Sequence, residues 1–138
     1  AAKTVNAHAF ITRIEGAYDA PLSERGANLS QGQRQLLAFA RVLAADPEIL
    51  VLDEATASID TETEILIQDA LRKLMVGRTS ILIAHRLQTI QEADRVLVLV
   101  NGEVKELGPH QALIDAGGVY ATLHELQFQD VNPAADLA

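Results

Sequence analysis

The chain has 138 residues, of which 49% are hydrophobic and 22% are charged. A sequence of this size and composition can bury a core and form one folded domain, which excludes a disordered segment. Asp and Glu number 19 against 11 Lys and Arg, so the net charge is −8. Binding to phosphate backbones needs clustered cations, and this charge excludes a nucleic-acid partner. Cysteine is absent, which excludes disulfides and thiolate metal sites.

Apolar stretches in the sequence are short. The densest ones, at residues 81–84 and 96–100, have the length of a strand and not that of a membrane span. Residues 1–6 lack the charged and apolar regions of a signal peptide. We therefore expect a cytoplasmic location.

The first third of the chain is predicted to be helical around one loop. A short helix is expected at residues 5–14, and residues 15–29, which contain Gly, Pro and Asn without an apolar period, form a loop. A second helix runs from Ser30 to about Ala45, where Asp46-Pro47 ends it. Its expected buried stripe is Leu36, Leu37, Ala40 and Leu43.

The middle of the chain alternates strands and helices. A strand is expected at residues 48–53, because the four residues 49–52 are apolar without alternation, which is typical of a parallel strand covered on both faces. A capping box formed by Thr61 and Glu64 predicts a third helix that ends near Met75. A second buried strand is expected at residues 79–84, after Gly77. The apolar stripe of the third helix is Leu66, Ile67, Ala70, Leu71 and Leu74.

The last third begins with a short helix at residues 87–93. A strand at residues 95–100 leads through the turn-forming pair Asn101-Gly102 into another strand at residues 103–107. Helices are expected after Pro109 and at residues 119–127, before a polar tail. The order of elements predicts an α/β fold with a largely parallel sheet flanked by helices.

Residues 29–33, at the start of the second helix, form a candidate anion site. Unpaired amides and the helix dipole attract anions to a helix N-terminus, and the Ser30 hydroxyl adds a donor. An equally frequent alternative is that Ser30 is only an N-cap, with Gln33 completing a capping box.

Two adjacent carboxylates, Asp53 and Glu54, follow the first buried strand. Successive strand side chains point apart, so the two acids can take different roles. Asp53 suits the water shell of Mg²⁺, and Glu54 suits the orientation or deprotonation of an attacking water. The alternative is a pair of solvated acids in a loop.

His85 directly follows the second buried strand, where a histidine can bond a phosphate oxygen or a catalytic carboxylate. Considered alone, a single histidine is more often structural. The other histidines, His8, His110 and His124, are interpreted as surface or packing residues. No His and acid pair has zinc spacing.

Taken together, these segments in this order and spacing resemble the nucleotide-binding domain of ATP-binding cassette (ABC) transporters. In that family, residues 29–35 correspond to the signature motif, residues 49–54 to the Walker B strand, residues 57–60 to the D-loop, and His85 to the switch histidine. Further resemblance lies at residues 101–104 and 108–110. The loop residues Glu24, Arg25 and Gly26 look like the coupling loop of the exporter branch.

The resemblance implies a role for each matching residue. Asp53 would serve Mg²⁺ through water, Glu54 would polarise the hydrolytic water, and His85 would hold the γ-phosphate. Ser58 and Asp60 of the D-loop would communicate across a dimer. The residues implied to bind ATP of the opposite protomer are Ser30, Gln31, Gly32 and Gln33. Gln31 departs from the family pattern, where glycine is commonest.

A phosphate-binding G-x-x-x-x-G-K-[ST] loop is missing, because none of the 8 glycines is followed by Lys. The resemblance therefore implies the C-terminal half of a cassette, a partial P-loop NTPase fold without the strand that feeds this loop. We expect an uncovered sheet edge or face, self-association, and no tight binding or hydrolysis of ATP by the chain alone.

The predicted organisation is residues 1–128 as cassette and residues 129–138 as a polar tail. Residues 1–45 would end the helical subdomain, and residues 46–128 would contribute to the catalytic core. Implied partners are a second nucleotide-binding domain, head to tail, and a membrane-spanning domain, with the chain on the cytoplasmic side of the membrane.

Three functions compete for this sequence. The leading one is part of an exporter ATPase, and the first alternative is a truncated cassette that acts as a non-catalytic dimerisation or regulatory module. A chromosome-maintenance ATPase of the SMC type would need long heptad repeats and basic DNA surfaces, and the sequence has neither.

Overall fold

A computed structural model of the chain describes residues 1–53, 59–83 and 87–131, without the side chains of residues 25, 87, 88 and 127–131. The described residues fall into two compact units, one within residues 1–83 and the other within residues 84–138. Three of the predicted site residues, Glu54, Ser58 and His85, lie outside the described residues.

The first unit is built from helices and one pair of strands. β1 (Ile49–Asp53) and β2 (Thr79–Ile83) pair in parallel, with Ile49 opposite Thr79 and Asp53 opposite Ile83. This confirms the predicted parallel strands and the α/β class. The helices are α1 (His8–Ile11), α2 (Gln31–Ala45) and α3 (Thr61–Met75), and short 3₁₀ turns lie at Ala17–Asp19 and Glu24–Gly26.

The helix predicted at residues 5–14 is wrong in extent, since α1 has only four residues. Asn6 has a φ of +63°, which a right-handed helix does not allow. Its side-chain amide donates to the carbonyl oxygen of Leu66 at 3.1 Å and to Oδ2 of Asp69 at 2.7 Å. Val5 and Ala7, on either side of Asn6, are fully buried. Contacts with α3 therefore determine this segment.

The core of the first unit lies where α2, α3 and β1 meet. Leu36 and Ala40 are buried as predicted, whereas Leu37 and Leu43 are only partly buried. Phe39, which the sequence did not single out, is buried. From α3 the core takes Ile67, Ala70, Leu71 and Leu74.

Two predictions about α3 are wrong. Leu66 is exposed, because it lies about 100° around the helix from Ile67, beyond the edge of the buried stripe. The N-cap is Asp60 and not Thr61: Oδ1 of Asp60 accepts a hydrogen bond from the backbone N–H of Thr63 at 2.9 Å. A carboxylate one residue earlier thus displaces the predicted capping box of Thr61 and Glu64.

Only one face of the β1–β2 pair is covered within the described residues, which corrects the expectation of burial on both faces. Leu50 faces the core and is 4% exposed, while Val51 beside it is 69% exposed. Successive side chains alternate between the two faces, as in any strand, but apolar side chains occupy both faces. We call the exposed set the bare face; it consists of Ile49, Val51, Ile81 and Ile83.

Arg78 connects the chain segments that lead into both strands. Its Nε donates to the carbonyl oxygen of Pro47 at 3.1 Å, and an Nη2 donates to Oδ1 of Asp46. Asp46 ends α2 with a φ of +48°. Nη1 of Arg78 also donates to the carbonyl oxygen of Leu74 at 2.8 Å, so the Arg78 side chain joins the C-terminal ends of α2 and α3.

The second unit contains the predicted hairpin. β3 (Val96–Val100) and β4 (Glu103–Gly108) pair antiparallel, and the positive φ of Asn101 and Gly102 matches the expected turn. The described strands thus form one parallel and one antiparallel pair. The helices of this unit are α4 (Leu87–Gln91), α5 (His110–Asp115) and α6 (Val119–Val131).

Glu106 fixes the start of α6. Its two carboxylate oxygens accept hydrogen bonds from the backbone N–H of Val119 at 2.7 Å and of Tyr120 at 3.0 Å. A Cβ on Gly118 would overlap this carboxylate, so a larger residue there would displace Glu106 from its two backbone partners. The charge also complements the positive end of the helix dipole.

The three histidines that the structure describes, His8, His110 and His124, make packing contacts, as predicted. His8 stacks on Tyr18, with ring centroids 5.8 Å apart. Nδ1 of His110 shares a hydrogen bond with the hydroxyl of buried Tyr120 at 2.7 Å, and His124 lies beside both rings. Burial raises the pKa of the Tyr120 hydroxyl above its ordinary value.

A membrane-spanning helix is absent from the part of the chain that the structure describes, where no helix is both long enough and apolar enough.

Candidate functional site

The signature turn, which we define as residues Ser30, Gln31, Gly32 and Gln33, begins α2. Oγ of Ser30 accepts from the backbone N–H of Gln33 at 3.1 Å, and Oε1 of Gln33 accepts from the backbone N–H of Ser30 at 3.0 Å. This is the capping box that the sequence offered as the alternative to an anion site. The two roles are compatible, because a hydroxyl that accepts one bond still has a proton to donate.

Gly32 brings the signature turn against the start of α3. It is buried, and a Cβ built on it would overlap Cγ2 of Thr63 and lie 3.6 Å from Cγ2 of Ile59. Thr63 in turn donates its backbone N–H to Asp60. Two of the predicted site segments, the signature turn and the end of the D-loop, are thus packed together. Only glycine permits this close approach.

Asp60 is the part of the predicted D-loop that the structure describes. The backbone N–H of Thr63 is the main cause that holds the pKa of Asp60 below its ordinary value of 3.8, with the Thr63 hydroxyl next. Its carboxylate therefore has a structural task as the N-cap of α3, in addition to the role that the resemblance implies.

This pKa shift gives a prediction for acid stability. A carboxyl whose pKa is lower in the folded state contributes stability above its unfolded pKa, and loses it as the pH falls through the folded pKa. The contribution of Asp60 is therefore complete above about pH 4 and declines below it. We expect Asp60→Ser, which keeps a capping oxygen without a charge, to flatten the pH dependence below about pH 4.

Urea unfolding between pH 2.5 and 7 measures this difference. Asp60→Ala is the control, because it removes the cap altogether and should lower stability at every pH. An acid profile of Asp60→Ser that coincides with that of the wild-type chain would contradict the assignment.

Asp53 is the last residue of β1 and is exposed, opposite Ile83 at the same end of the parallel pair. Carboxyl ends of parallel strands are where α/β sheets place their ligands. A carboxylate oxygen is the hard donor that Mg²⁺ takes together with phosphate oxygens, so Asp53 fits the predicted ion. Glu54 and His85 follow these two strands in the sequence, outside the described residues.

A groove of about 540 Å³ lies at the opposite end of the parallel pair. Residues 46–48, before β1, and residues 76–79, at the start of β2, line it. None of the predicted site residues is among them, and Arg78 in this groove is already bonded to Asp46 and Pro47. The groove is therefore separate from the candidate site.

The predicted coupling loop, Glu24–Gly26, forms a 3₁₀ turn just before the signature turn. Two hydrogen bonds between the flanking residues Ser23 and Asn28 hold its ends together. Oγ of Ser23 donates to Oδ1 of Asn28 at 2.9 Å and accepts from the backbone N–H of Asn28 at 3.0 Å. Gly26 has a φ of +66°, which glycine adopts without strain.

Arg34 is a residue of this region to which sequence reasoning gave no role. Its Nη1 donates to the carbonyl oxygen of Leu29 at 2.5 Å and, over a longer 3.4 Å, to that of Gly26. One signal was available: a cation in the first turns of a helix opposes the helix dipole, so its presence there indicates another purpose.

Comparison with known proteins gives a consistent result. The family model described as ABC transporter matches residues 2–57. An ABC transporter ATP-binding protein, YfiC of Bacillus subtilis (strain 168), is 56% identical over 129 residues, which are 94% of this chain and 21% of that protein. The ATP-dependent lipid A-core flippase of Syntrophus aciditrophicus (strain SB) is 50% identical over 130 residues, 94% of this chain and 22% of the flippase.

A solved structure is similar over the same extent. It is that of a bacterial Atm1-family ABC exporter with ATP bound, 42% identical in sequence, with a TM-score of 0.79. The similarity covers 99% of this chain and 23% of the exporter chain. The chain thus spans about a fifth of the length of the curated relatives named above. In sequence and in fold, it belongs with the ATP-binding part of ABC transporters of the exporter type.

Proposed function

We propose that the chain is the C-terminal part of the nucleotide-binding domain of an ABC exporter that couples ATP hydrolysis to transport. The observation that carries this is the packing of the signature turn, through Gly32, against the start of α3. That packing joins the signature turn to the end of the D-loop, and in the family both segments lie at the interface between two nucleotide-binding domains. Residues 1–45 would end the helical subdomain, residues 46–128 would belong to the catalytic core, and residues 129–138 would be a tail.

The proposed reaction is hydrolysis of ATP by in-line attack of water on the γ-phosphorus. Glu54 orients the water and accepts its proton, while the bond from the γ-phosphorus to the leaving oxygen of ADP breaks. His85 donates a hydrogen bond to the γ-phosphate and keeps the attacking water in line with it. Asp53 would hold Mg²⁺ through water, and the ion would neutralise phosphate charge.

The signature turn acts on the nucleotide of the opposite nucleotide-binding domain. The Ser30 hydroxyl and the amides at the start of α2 donate to the γ-phosphate, which places the helix dipole on a negative charge. Ser58 and Asp60 contact the second domain at the same seam. Glu24, Arg25 and Gly26 contact the membrane-spanning domain, on the cytoplasmic side of the membrane.

The chain alone is proposed to be inactive. Its 138 residues contain no G-x-x-x-x-G-K-[ST] sequence, so no loop with a lysine holds the phosphates next to the site of hydrolysis. With a net charge of −8, the chain has no general attraction for an anion such as ATP and depends on such local donors.

Release of phosphate from Mg-ATP tests the proposal. We expect background rates for the chain alone and recovered hydrolysis when a separately produced N-terminal half with the phosphate-binding loop is added. Glu54→Gln should abolish the recovered activity by at least about 100-fold, the order expected for loss of a general base. Glu103→Gln is the matched control, since Glu103 lies on β4 and pairs with Lys105.

Two outcomes would contradict the proposal. Ordinary hydrolysis by the chain alone would show that the phosphate-binding loop is dispensable. Recovered activity that is insensitive to Glu54→Gln would show that the assigned general base is wrong.

A second candidate is a non-catalytic module that acts by association. The observation in its favour is the bare face of β1 and β2, where four large apolar side chains are each more than half exposed. Parallel strands are normally covered on both faces. In this proposal the bare face is covered by a second copy of the chain, and the chain regulates assembly without hydrolysing ATP.

A further inference from the structure

Arg34 binds three carbonyl groups from residues that precede it. Its backbone N–H donates to the carbonyl oxygen of Ser30 at 3.0 Å, as the helix requires. Its guanidinium donates to the carbonyl oxygens of Leu29 and Gly26 at 2.5 and 3.4 Å. A single residue therefore contacts the coupling loop, the residue before the signature turn and the signature turn itself.

The position of Gly26 suits this contact. The Cγ and Cδ atoms of Arg34 lie 3.6 and 3.5 Å from where a Cβ of Gly26 would be, so the aliphatic stem packs along the turn. The carbonyl oxygen of Gly26 also accepts from the backbone N–H of Leu29 at 2.9 Å. Leu29 is buried, which anchors the far end of the loop.

The loop itself is closed independently of Arg34. The mutual hydrogen bonds of Ser23 and Asn28 join its two ends, and the N–H of Gly26 donates to the carbonyl oxygen of Ser23 at 2.8 Å. A loop whose two ends are joined by hydrogen bonds can move as a rigid unit. The contacts of Arg34 and the burial of Leu29 connect that unit to α2.

We propose that Arg34 is a positioning residue that ties the coupling loop to the signature turn, so that displacement of the loop displaces Ser30 and Gln33 with it. The chemistry suits arginine, because a planar guanidinium with several donors reaches two carbonyls at once, whereas a lysine ammonium is a compact charge. This role rests on the proposed function, which places the coupling loop against a membrane-spanning domain.

The first test measures the link itself in this chain. Hydrogen exchange of Arg34→Met, which keeps much of the stem and removes the donors, should accelerate about 10-fold or more at the amide of Leu29, whose acceptor is the Gly26 carbonyl that Arg34 contacts. The amide of Gly26, which is bonded to Ser23 within the closed loop, should change little. Arg34→Lys should have an intermediate effect, and amides in the middle of α3 should be unchanged. Arg41→Met is the matched control, because Arg41 is an exposed arginine of the same helix. Equal exchange in wild type and Arg34→Met would overturn the proposal.

The second test measures coupling in the full-length transporter, reconstituted in lipid nanodiscs with Mg-ATP and orthovanadate as the probe. In the wild type, peptides from residues 20–29 and residues 30–36 should gain protection together when nucleotide is trapped. In Arg34→Met, the second peptide should still gain protection and the first should not, a separation that general destabilisation would not produce.

The outcomes of the second test are distinguishable. Joint protection of both peptides in Arg34→Met would overturn the coupling role. A wild-type transporter in which nucleotide protects neither peptide would overturn the proposed function and the coupling role with it, whereas the first test would still report the link between Arg34 and the loop.

Discussion

Gly32→Ala is expected to lower the free energy of unfolding, because its new Cβ would overlap Cγ2 of Thr63. Overpacking of this kind costs about 1–3 kcal/mol. The higher helix propensity of alanine returns at most roughly 1 kcal/mol of that cost. The signature turn would also shift away from α3, so that an exporter carrying this substitution should lose hydrolysis. Urea unfolding of the chain measures the first effect, and phosphate release by the full-length transporter measures the second.

A second substitution tests the cause. Thr63→Ser removes Cγ2 but keeps the hydroxyl that bonds to Asp60. The remaining neighbours of a Cβ at residue 32 are Cβ of residue 63, at 3.4 Å, and Cγ2 of Ile59, at 3.6 Å, both in ordinary contact. Gly32→Ala with Thr63→Ser should therefore recover most of the stability lost by Gly32→Ala. Additive losses in the double variant would show that Thr63 is not what requires glycine.

Association of the chain through the bare face is the second large expected effect. Val51→Lys combined with Ile81→Lys would place two charges where the proposed partner surface is apolar. Burial of each such side chain contributes about 1.5–3 kcal/mol, so we expect association to weaken by at least about 100-fold. Val51 and Ile81 lie opposite each other in the β1–β2 register, so the two lysines would repel and lower the stability of the monomer somewhat, although both positions are more than half exposed. Urea unfolding of the variant shows whether it is still folded.

Sedimentation velocity over a range of concentrations measures this association. Ile65→Lys is the matched control, because Ile65 on α3 is 65% exposed and lies outside the bare face. A wild-type chain that stays monomeric at every concentration would count against association. The same would follow if Ile65→Lys weakened association as much as the paired substitution.

Local signals in the sequence predicted much of the fold. Ser30 with Gln33 marked the start of α2, Asp46-Pro47 marked its end, and Asn101-Gly102 marked the hairpin turn. Each of these signals acts through bonds or dihedral angles within a few residues. One error arose where distant residues decide: Asn6 leaves the helical conformation because its partners, Leu66 and Asp69, lie on α3.

The candidate site was predicted less completely than the fold. Motif spacing identified Gly32 but not the reason for a glycine, which is a threonine 31 positions later in the sequence. Asp60 was expected to act only across a dimer, and its capping of α3 depends on where that helix begins. The guanidinium contacts of Arg34 depend on the fold of the loop before α2, for which periodicity gives no information.

The bare face also has a consequence for how β1 and β2 are aligned. A strand with one apolar and one polar face has a single favourable register, since a slip of one residue would bury its polar side chains. Residues 49–52 of β1 are apolar on both faces, so a slip would exchange Leu50 for Val51 at little hydrophobic cost, and within β1 only Asp53 would oppose it. The backbone N–H of Thr79 donates to the carbonyl oxygen of Glu48 at 3.1 Å, and Arg78 holds Pro47. Polar contacts where the strands begin, including those of Arg78, therefore favour the observed alignment over a slipped one.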